Sequence, residues 1–179
     1  YNPKTVKMIT PVNYDDHIKQ ISECDWIIEV IAERLDWKQE LYSKIQPHVK
    51  KDAIITSNTS GISAAELVSE MDDGMAKRFF ITHFFNPPRY MKLVEIISSE
   101  KTDPSIIPPM AEFLETTLGK GVVYAKDTPN FIANRIGVYG MMVTLEAARK
   151  KKLSIEDVDG LTGSLIGRPK SATFRTADI

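Results

Sequence analysis

The sequence predicts an α/β protein in which a doubly wound, mostly parallel sheet is followed by the first helices of an all-α domain. Up to about residue 125, short β-branched apolar runs alternate with segments of helical spacing, the pattern of such a sheet. From residue 131 onward only helical spacing remains. With 179 residues, 42% of them hydrophobic, the chain can form one packed domain and part of a second. We therefore place a boundary near residues 127–130, between domains at 1–127 and 128–179.

The first half of the chain predicts three strands and three helices. Residues 26–31 form a nearly continuous apolar run, which is typical of a strand buried on both faces of a parallel sheet. Ser63 and Glu66 have the spacing of a capping box, so we expect a helix to begin there. The other predictions are a short strand at 7–10 closed by Pro11, a polar helix at 15–23, a helix at 35–49 and a strand at 53–56.

The second half predicts three further strands and then helices alone. Two strands, at 79–85 and 93–97, are separated by a turn at Asn86-Pro87-Pro88, because neither proline can donate to a ladder. Asp103-Pro104 begins a helix that Gly119 ends, and a last strand follows at 122–125. A long helix at 131–152 ends in basic residues, which suit a helix C-terminus, and another helix begins at Ser154.

Composition and charge argue against several classes of function. The net charge is −1 with both signs well mixed, which disfavours a nucleic-acid platform and a polybasic membrane binder. No apolar run approaches the roughly 20 residues of a membrane span. The lone cysteine, Cys24, cannot form an internal disulfide and leaves no Cys cluster for a metal, so we expect no metal site and a reducing, cytoplasmic location.

Four separated blocks of sequence resemble the L-3-hydroxyacyl-CoA dehydrogenase family, in the right order and spacing over essentially the whole chain. They are Ser57-Asn58-Thr59-Ser60, the run from His83 to Pro87, the run from Met91 to Glu95, and Asp127-Thr128-Pro129 with Asn134-Arg135. The resemblance implies an NAD-binding, Rossmann-like domain at 1–127 and the start of a helical dimerisation domain at 128–179. It also implies an acyl-CoA substrate, a role in fatty-acid β-oxidation and a homodimer formed through the helical domain.

The chain departs from the family pattern in three places. Asn130 stands where the family usually has glycine or alanine, and Tyr139 where it has proline or alanine. The family's domain opens with a strand, a Gly-rich loop and a helix, yet none of the nine glycines here forms a G-x-G-x-x-G motif. We therefore expect an incomplete sheet and a fragment of a longer enzyme, inactive by itself. Multifunctional members fused to an enoyl-CoA hydratase are one candidate parent.

His83 and Glu95 are the candidate catalytic pair. His83 lies where a predicted strand ends, at the edge where α/β sheets place ligands, and imidazole has a suitable pKa to accept a hydroxyl proton. Glu95 lies on the next strand, within reach of the other ring nitrogen. Residue type alone favours an ordinary strand-end histidine with a solvent partner. The surrounding motif favours a catalytic pair.

Ser60 and Asn134 are the other candidate catalytic residues. A Ser/Thr/Asn cluster after a strand is ordinarily a turn and helix-cap device, and an amide at a helix start is common. The resemblance instead assigns Ser60 a hydrogen bond to the substrate oxygen beside the nicotinamide. It places Asn134, from the first turn of the long helix, against the same C3 oxygen.

The resemblance also assigns four residues to the nicotinamide half of NAD: Glu33, Lys38, Ser60 and Asn86. Glu33 and Lys38 are equally consistent with solvated charges at a helix start. Three functions remain open on the sequence. They are an NAD-dependent 3-hydroxyacyl-CoA dehydrogenase, a dehydrogenase of the same fold acting on a non-CoA hydroxy acid, and a silent scaffold or dimerisation fragment.

Overall fold

The computed structural model describes residues 3–177, and five strands in it form one mixed sheet. The strands follow one another in chain order, β1 to β5. β1, β2 and β3 are parallel, β4 is antiparallel to β3, and β5 is parallel to β4. Their bounds are Trp26–Glu29, Ile54–Ser57, Phe79–Phe84, Leu93–Ser98 and Gly121–Tyr124. The predicted strands at 26–31, 53–56, 79–85, 93–97 and 122–125 are therefore confirmed.

Helices connect the strands and continue the chain after them. Their bounds are Tyr14–His17 (α1), Leu35–Ile45 (α2), Ala64–Leu67 (α3), Asp73–Ala76 (α4), Ile107–Thr116 (α5), Ala133–Lys151 (α6), Ile155–Thr162 (α7) and Phe174–Ala177 (α8). The capping boxes at the starts of α3 and α7 form as expected, with Ser63 and Ser154 as N-caps. α4, capped by Asp72, is a helix that the sequence analysis missed.

The sheet buries both of its faces, which confirms the doubly wound α/β class. One face packs Ile55, Phe79, Ile81 and Ile97 into a cluster that includes residues of α2, α3 and α4. The other face packs residues of β3 and β4 against α5, with Phe80, Val94, Ile96, Met110 and Leu114 buried. Because side chains alternate along a strand, neighbouring residues of β2 and β3 serve different cores.

The predicted strand at 7–10 is wrong. A 3-10 helix occupies Pro3–Met8, and the N–H of Ile9 donates to the carbonyl of Val6 at 3.1 Å. Met8 and Ile9 are exposed. A strand needs a neighbouring strand to pair with its N–H and C=O groups, and within residues 3–177 no strand pairs with this segment. Local hydrogen bonds such as that of Ile9 satisfy its backbone instead.

β1 also differs from its prediction as a strand buried on both faces. It is an outermost strand of the sheet and pairs with β2 alone. Ile28 is 41% exposed, whereas the adjacent Glu29 is 3% exposed. The apolar run does form a strand, but its buried face carries a carboxylate to the interior.

The chain divides into two compact units, residues 1–131 and residues 132–179. The first contains the sheet. In the second, α6 ends at Lys151 and is capped by Lys152, whose φ of 54° is left-handed. The carboxylate of Asp159 accepts hydrogen bonds from the N–H groups of Thr173 and Phe174. Among the described residues, none of the helices has the length and hydropathy required to cross a bilayer.

Candidate active site

Polar side chains collect where β1, β2 and β3 end. Because these three strands are parallel, their carboxyl ends lie at one edge of the sheet, where α/β proteins place ligands. Glu33 follows β1, Ser60 follows β2, and Asn86 follows β3, and all three are exposed. This edge of the first unit is the candidate site.

His83 and Glu95 meet as the sequence predicted. They are directly opposed in the antiparallel pairing of β3 with β4, which places both side chains on the same face of the sheet. Nδ1 of His83 lies 2.8 Å from Oε2 of Glu95, and both residues are buried. The rings of Phe85 and Phe131 lie 4.4 Å and 5.6 Å from the imidazole, centroid to centroid.

This geometry selects one tautomer of the ring. A carboxylate beside Nδ1 accepts the proton held there, so the neutral ring keeps its lone pair on Nε2. The same carboxylate stabilises the imidazolium that forms when Nε2 takes up a proton. In this arrangement Nε2 is the ring atom left to accept a proton.

Glu33 holds the turn that carries Ser60. Its Oε1 atom accepts hydrogen bonds from Thr59 Oγ1 at 2.5 Å, Ser60 N at 2.9 Å and Gly61 N at 3.1 Å. Partial burial acts to raise the pKa of the Glu33 carboxyl. The hydrogen bonds from Thr59, Ser60 and Gly61 and the charge of Lys38 outweigh this and hold that pKa below its ordinary value.

Asn58 connects this turn to two strands, a role that sequence reasoning missed. Its N–H donates to the carbonyl of Glu29 at 2.9 Å, and its Oδ1 accepts from the N–H of Phe84 at 2.9 Å. Phe84 is the neighbour of His83, so one side chain joins the Ser60 turn to the end of β3. An asparagine directly after a buried strand was the available signal.

A buried ionic cluster lies beneath the turn, and the sequence analysis did not foresee it. Both carboxylate oxygens of Glu29 accept from Lys38 Nζ, at 2.8 and 2.9 Å. Tyr42 and Ser57 donate to Oε2 at 3.0 and 2.6 Å, and the N–H of Ile31 donates to Oε1 at 2.6 Å. Burial and the adjacent charge of Glu29 raise the pKa of the Tyr42 hydroxyl, so that group stays protonated.

Lys38 is thus placed differently from a solvated charge. Its side chain is 1% exposed, and its ammonium contacts Glu29, the carbonyl of Ile31 and, at 3.5 Å, Oε2 of Glu33. Glu33 itself remains 46% exposed. Of the two residues expected near the cofactor, Glu33 presents its carboxylate at the edge and Lys38 lies behind it.

Asn86 begins the connection between β3 and β4, and its peptide bond to Pro87 is cis. Lys120 anchors that connection by donating to the carbonyls of Pro88 and Met91, the latter at 2.8 Å. The loop is therefore tied to the start of β5.

The segment that ends the first unit is also fixed to the sheet domain. The carboxylate of Asp127 accepts from the N–H groups of Ala64 and Ala65 at 2.8 and 2.9 Å, at the N-terminus of α3. Asn130 and Phe131 both have positive φ, 61° and 48°. Asn130 thus adopts the left-handed backbone that glycine provides easily and that asparagine tolerates.

In the first unit, therefore, His83 contacts Glu95 and Glu33 holds the turn that carries Ser60. Asn58 connects that turn to Phe84, the residue after His83. Asn134 lies in the first turn of α6, within the second unit. Within residues 3–177, no group of three or more His, Cys, Asp or Glu side chains is arranged to bind a metal ion.

Comparisons with known proteins agree on one family. Residues 2–128 match the family model described as 3-hydroxyacyl-CoA dehydrogenase, NAD binding domain. A Bacillus subtilis protein named as a 3-hydroxyacyl-CoA dehydrogenase is 51% identical over 98% of this chain, which spans 22% of that protein. A Rickettsia felis protein named as a fatty acid oxidation complex trifunctional enzyme is 41% identical over 99% of the chain, which spans 25% of it.

A solved structure supports the same relationship. The (S)-3-hydroxybutyryl-CoA dehydrogenase of Ralstonia eutropha is 28% identical, with a TM-score of 0.76. The match covers 89% of this chain and 54% of that one, so the Rossmann-like fold is confirmed. The chain spans 22% to 50% of the length of the first curated relatives that it matches.

Proposed function

The chain belongs to the 3-hydroxyacyl-CoA dehydrogenase family, and on that premise we propose that its protein interconverts L-3-hydroxyacyl-CoA and 3-oxoacyl-CoA with NAD⁺ and NADH in fatty-acid β-oxidation. The observation that carries this proposal is the buried pair of His83 and Glu95, joined at 2.8 Å where β3 ends. An imidazole held in this way suits the removal of a hydroxyl proton.

In the oxidative direction, Nε2 of His83 accepts the proton of the substrate's 3-hydroxyl group. The substrate is oxidised to the ketone as the C3–H bond breaks and its electron pair leaves as hydride. Bound NAD⁺ would supply the acceptor for that hydride, so the two electrons lost by the substrate would be balanced by its reduction to NADH. Glu95 lowers the energy of the imidazolium, and in the reverse direction the same ring returns its proton to the C3 oxygen.

Ser60 and Asn134 complete the proposed catalytic set. Ser60 is exposed at the carboxyl ends of the strands, where its hydroxyl can donate to the substrate's C3 oxygen. Asn134 is proposed to donate to the same oxygen through its side-chain amide, which stabilises the carbonyl as it develops.

The side chains at this edge fit the nicotinamide half of NAD. Glu33 offers a half-exposed carboxylate that can accept from ribose hydroxyls, and Ser60 and Asn86 offer a hydroxyl and an amide for the carboxamide and ribose. Lys38 belongs to this set through its 3.5 Å ion pair with Glu33. We propose all four as cofactor-side residues.

The domain assignment, partner and location belong to the same proposal. Residues 1–127 form part of the NAD-binding domain, and residues 128–179 begin the helical domain through which two copies associate. Ile136 and Met142 of α6 are exposed, while Leu145 is half-buried, so α6 offers apolar surface for this contact. The lone Cys24 is consistent with a cytoplasmic location.

The test is reduction of acetoacetyl-CoA by NADH, followed at the nicotinamide absorbance, in the protein that carries this chain. We expect His83→Ala to lower kcat by about 10²- to 10⁴-fold with a much smaller change in KM. His48→Ala is the matched control, because His48 lies in the 3-10 helix Gln46–His48, which precedes β2 and thus comes before that strand's amino end, whereas the candidate site is at the carboxyl ends.

Unimpaired turnover in His83→Ala would exclude the base assignment. Turnover of hydroxy acids without CoA, in preference to acyl-CoA, would favour the second dehydrogenase function. No turnover of either class by the unmodified protein would favour a silent scaffold.

A further inference from the structure

The turn at residues 57–61, which carries Ser60, is held by two routes of hydrogen bonds that begin at one carboxylate. The first route is short. Oε2 of Glu29 accepts from Ser57 Oγ at 2.6 Å, and the same Oγ accepts from the N–H of Thr59 at 3.1 Å. The Ser57 hydroxyl thus donates to Glu29 and accepts from Thr59, and it connects Glu29 to the turn.

The second route passes through two charged side chains. Lys38 Nζ donates to both oxygens of Glu29 and lies 3.5 Å from Oε2 of Glu33. Oε1 of Glu33 then accepts from the hydroxyl of Thr59 and from the N–H groups of Ser60 and Gly61. The first route therefore ends on Thr59, and the second ends on Thr59, Ser60 and Gly61, so the two routes meet at Thr59.

We propose that Glu29 is a positioning residue for Ser60. The proposal rests on the function proposed above, in which the Ser60 hydroxyl meets the substrate oxygen. Glu29 is 3% exposed and its oxygens are engaged by Lys38, Tyr42, Ser57 and Ile31, so it acts through these neighbours and not by contact with substrate.

The chemistry of the cluster explains why a buried charge stands here. Hydrogen bonds to an ionised carboxylate are shorter and stronger than those between neutral groups, and a buried network restricts each member to one arrangement. The Glu29 backbone carbonyl also accepts from the N–H of Asn58. One residue thus fixes the turn through both its backbone and its side chain.

Thr56 provides the contrast that separates positioning from stability. It adjoins Ser57 on β2, and both are fully buried. Its side chain lies on the other face of the strand, where it bonds to Trp26 of the cluster around Phe80. Its Oγ1 accepts from Trp26 Nε1 and from Thr82 Oγ1, both at 2.9 Å. Loss of that hydroxyl disrupts buried hydrogen bonds of the same sheet without touching either route to the turn.

The experiment compares Ser57→Ala with Thr56→Val by amide hydrogen exchange and by kinetics, in the protein that carries this chain. In Ser57→Ala we expect protection of the Ser60 and Gly61 amides to fall about tenfold, and kcat to fall about tenfold with little change in KM. In Thr56→Val we expect both quantities to stay within about twofold of the parent.

A double-mutant cycle asks whether Ser57 acts through Ser60. In a Ser60→Ala background, Ser57→Ala should change kcat by less than about twofold.

If Glu29→Gln folds, it should show the same loss of protection at the Ser60 and Gly61 amides as Ser57→Ala. If Glu29→Gln does not fold, the Ser57→Ala data decide the proposal. Unchanged protection of Ser60 and Gly61 in Ser57→Ala, or an equal loss of kcat in Thr56→Val, would overturn the proposal. An unmodified protein without turnover would instead count against the proposed function, and the exchange data would still decide whether Glu29 holds the turn.

Discussion

Two buried glutamates on one face of the sheet, Glu29 and Glu95, have partners of different kinds. Glu29 pairs with the ammonium of Lys38 and accepts from two hydroxyls and a backbone N–H as well. Glu95 pairs with His83, whose imidazole is a group that can accept a proton at one ring nitrogen while the other contacts the carboxylate. A carboxylate saturated by fixed donors holds structure in place, whereas one paired with an imidazole supports proton transfer.

Lys38→Met gives the largest expected effect, because it breaks the first pair. The variant leaves the Glu29 carboxylate buried without its cation, and we expect the free energy of unfolding to fall by about 3–5 kcal/mol. Urea denaturation of the chain measures this.

Lys44→Met on the same helix is the matched control, since Lys44 forms an exposed pair with Asp15 at 3.4 Å. It should change the stability by less than about 0.5 kcal/mol. Equal losses in the two variants would show that the Glu29 cluster is no more than an ordinary ion pair.

Glu95→Gln tests the other pair and should act on rate more than on stability. The amide keeps the shape of the side chain but removes the charge that orients the ring and stabilises the imidazolium. We expect kcat for acetoacetyl-CoA reduction to fall about 10²-fold with a much smaller change in KM.

Glu112→Gln, at an exposed position on α5, should leave kcat unchanged. If Glu95→Gln instead lowered stability as much as Lys38→Met does and left kcat intact, the contrast between the two glutamates would fail.

The smallest expected effect comes from Glu33, at the outer end of the ionic cluster. Its folded-state pKa lies below the ordinary value of 4.5, so the native protein binds fewer protons than the unfolded chain in that range. Glu33 therefore stabilises the fold above pH 4.5, and its contribution is lost as the pH falls through the lower, folded-state pKa.

Glu33→Gln should accordingly reduce stability at pH 7 by no more than about 1 kcal/mol, because the carboxylate is half-exposed. Thermal or urea unfolding at several pH values between 7 and 3 should show the difference from the parent shrinking below pH 4.5. A difference that grew toward low pH would contradict the sign of the shift.

The sequence predicted the sheet well where local pattern determines the element. Apolar runs bounded by turn residues placed five strands within one or two residues of their observed ends. The strand at 7–10 failed because strand formation depends on a neighbour, which no local pattern reports. The four residues of α4 depend mainly on the cap at Asp72, a signal too short to separate from a turn.

The same distinction between local pattern and distant neighbours applies to the candidate site. The contact of His83 with Glu95 follows from two strands joined by a proline turn, so it could be anticipated. The inward direction of Lys38 could not, because its partner Glu29 lies nine residues away on another element and Ser57 lies further along the chain. Which charged residue turns inward is decided by the packing of α2 on the sheet.

The cap that Asp127 provides to α3 has a consequence for biosynthesis. The contact spans 63 positions of sequence, from Ala64 to Asp127. A ribosome adds roughly 5–20 residues per second, so several seconds separate synthesis of the two ends of this bond. Until Asp127 emerges, the N–H groups of Ala64 and Ala65 lack this acceptor, and closing so long a loop carries an entropic cost. Ser63 caps α3 from within its own segment, but the N–H groups of Ala64 and Ala65 acquire their carboxylate acceptor only after all five strands have been made.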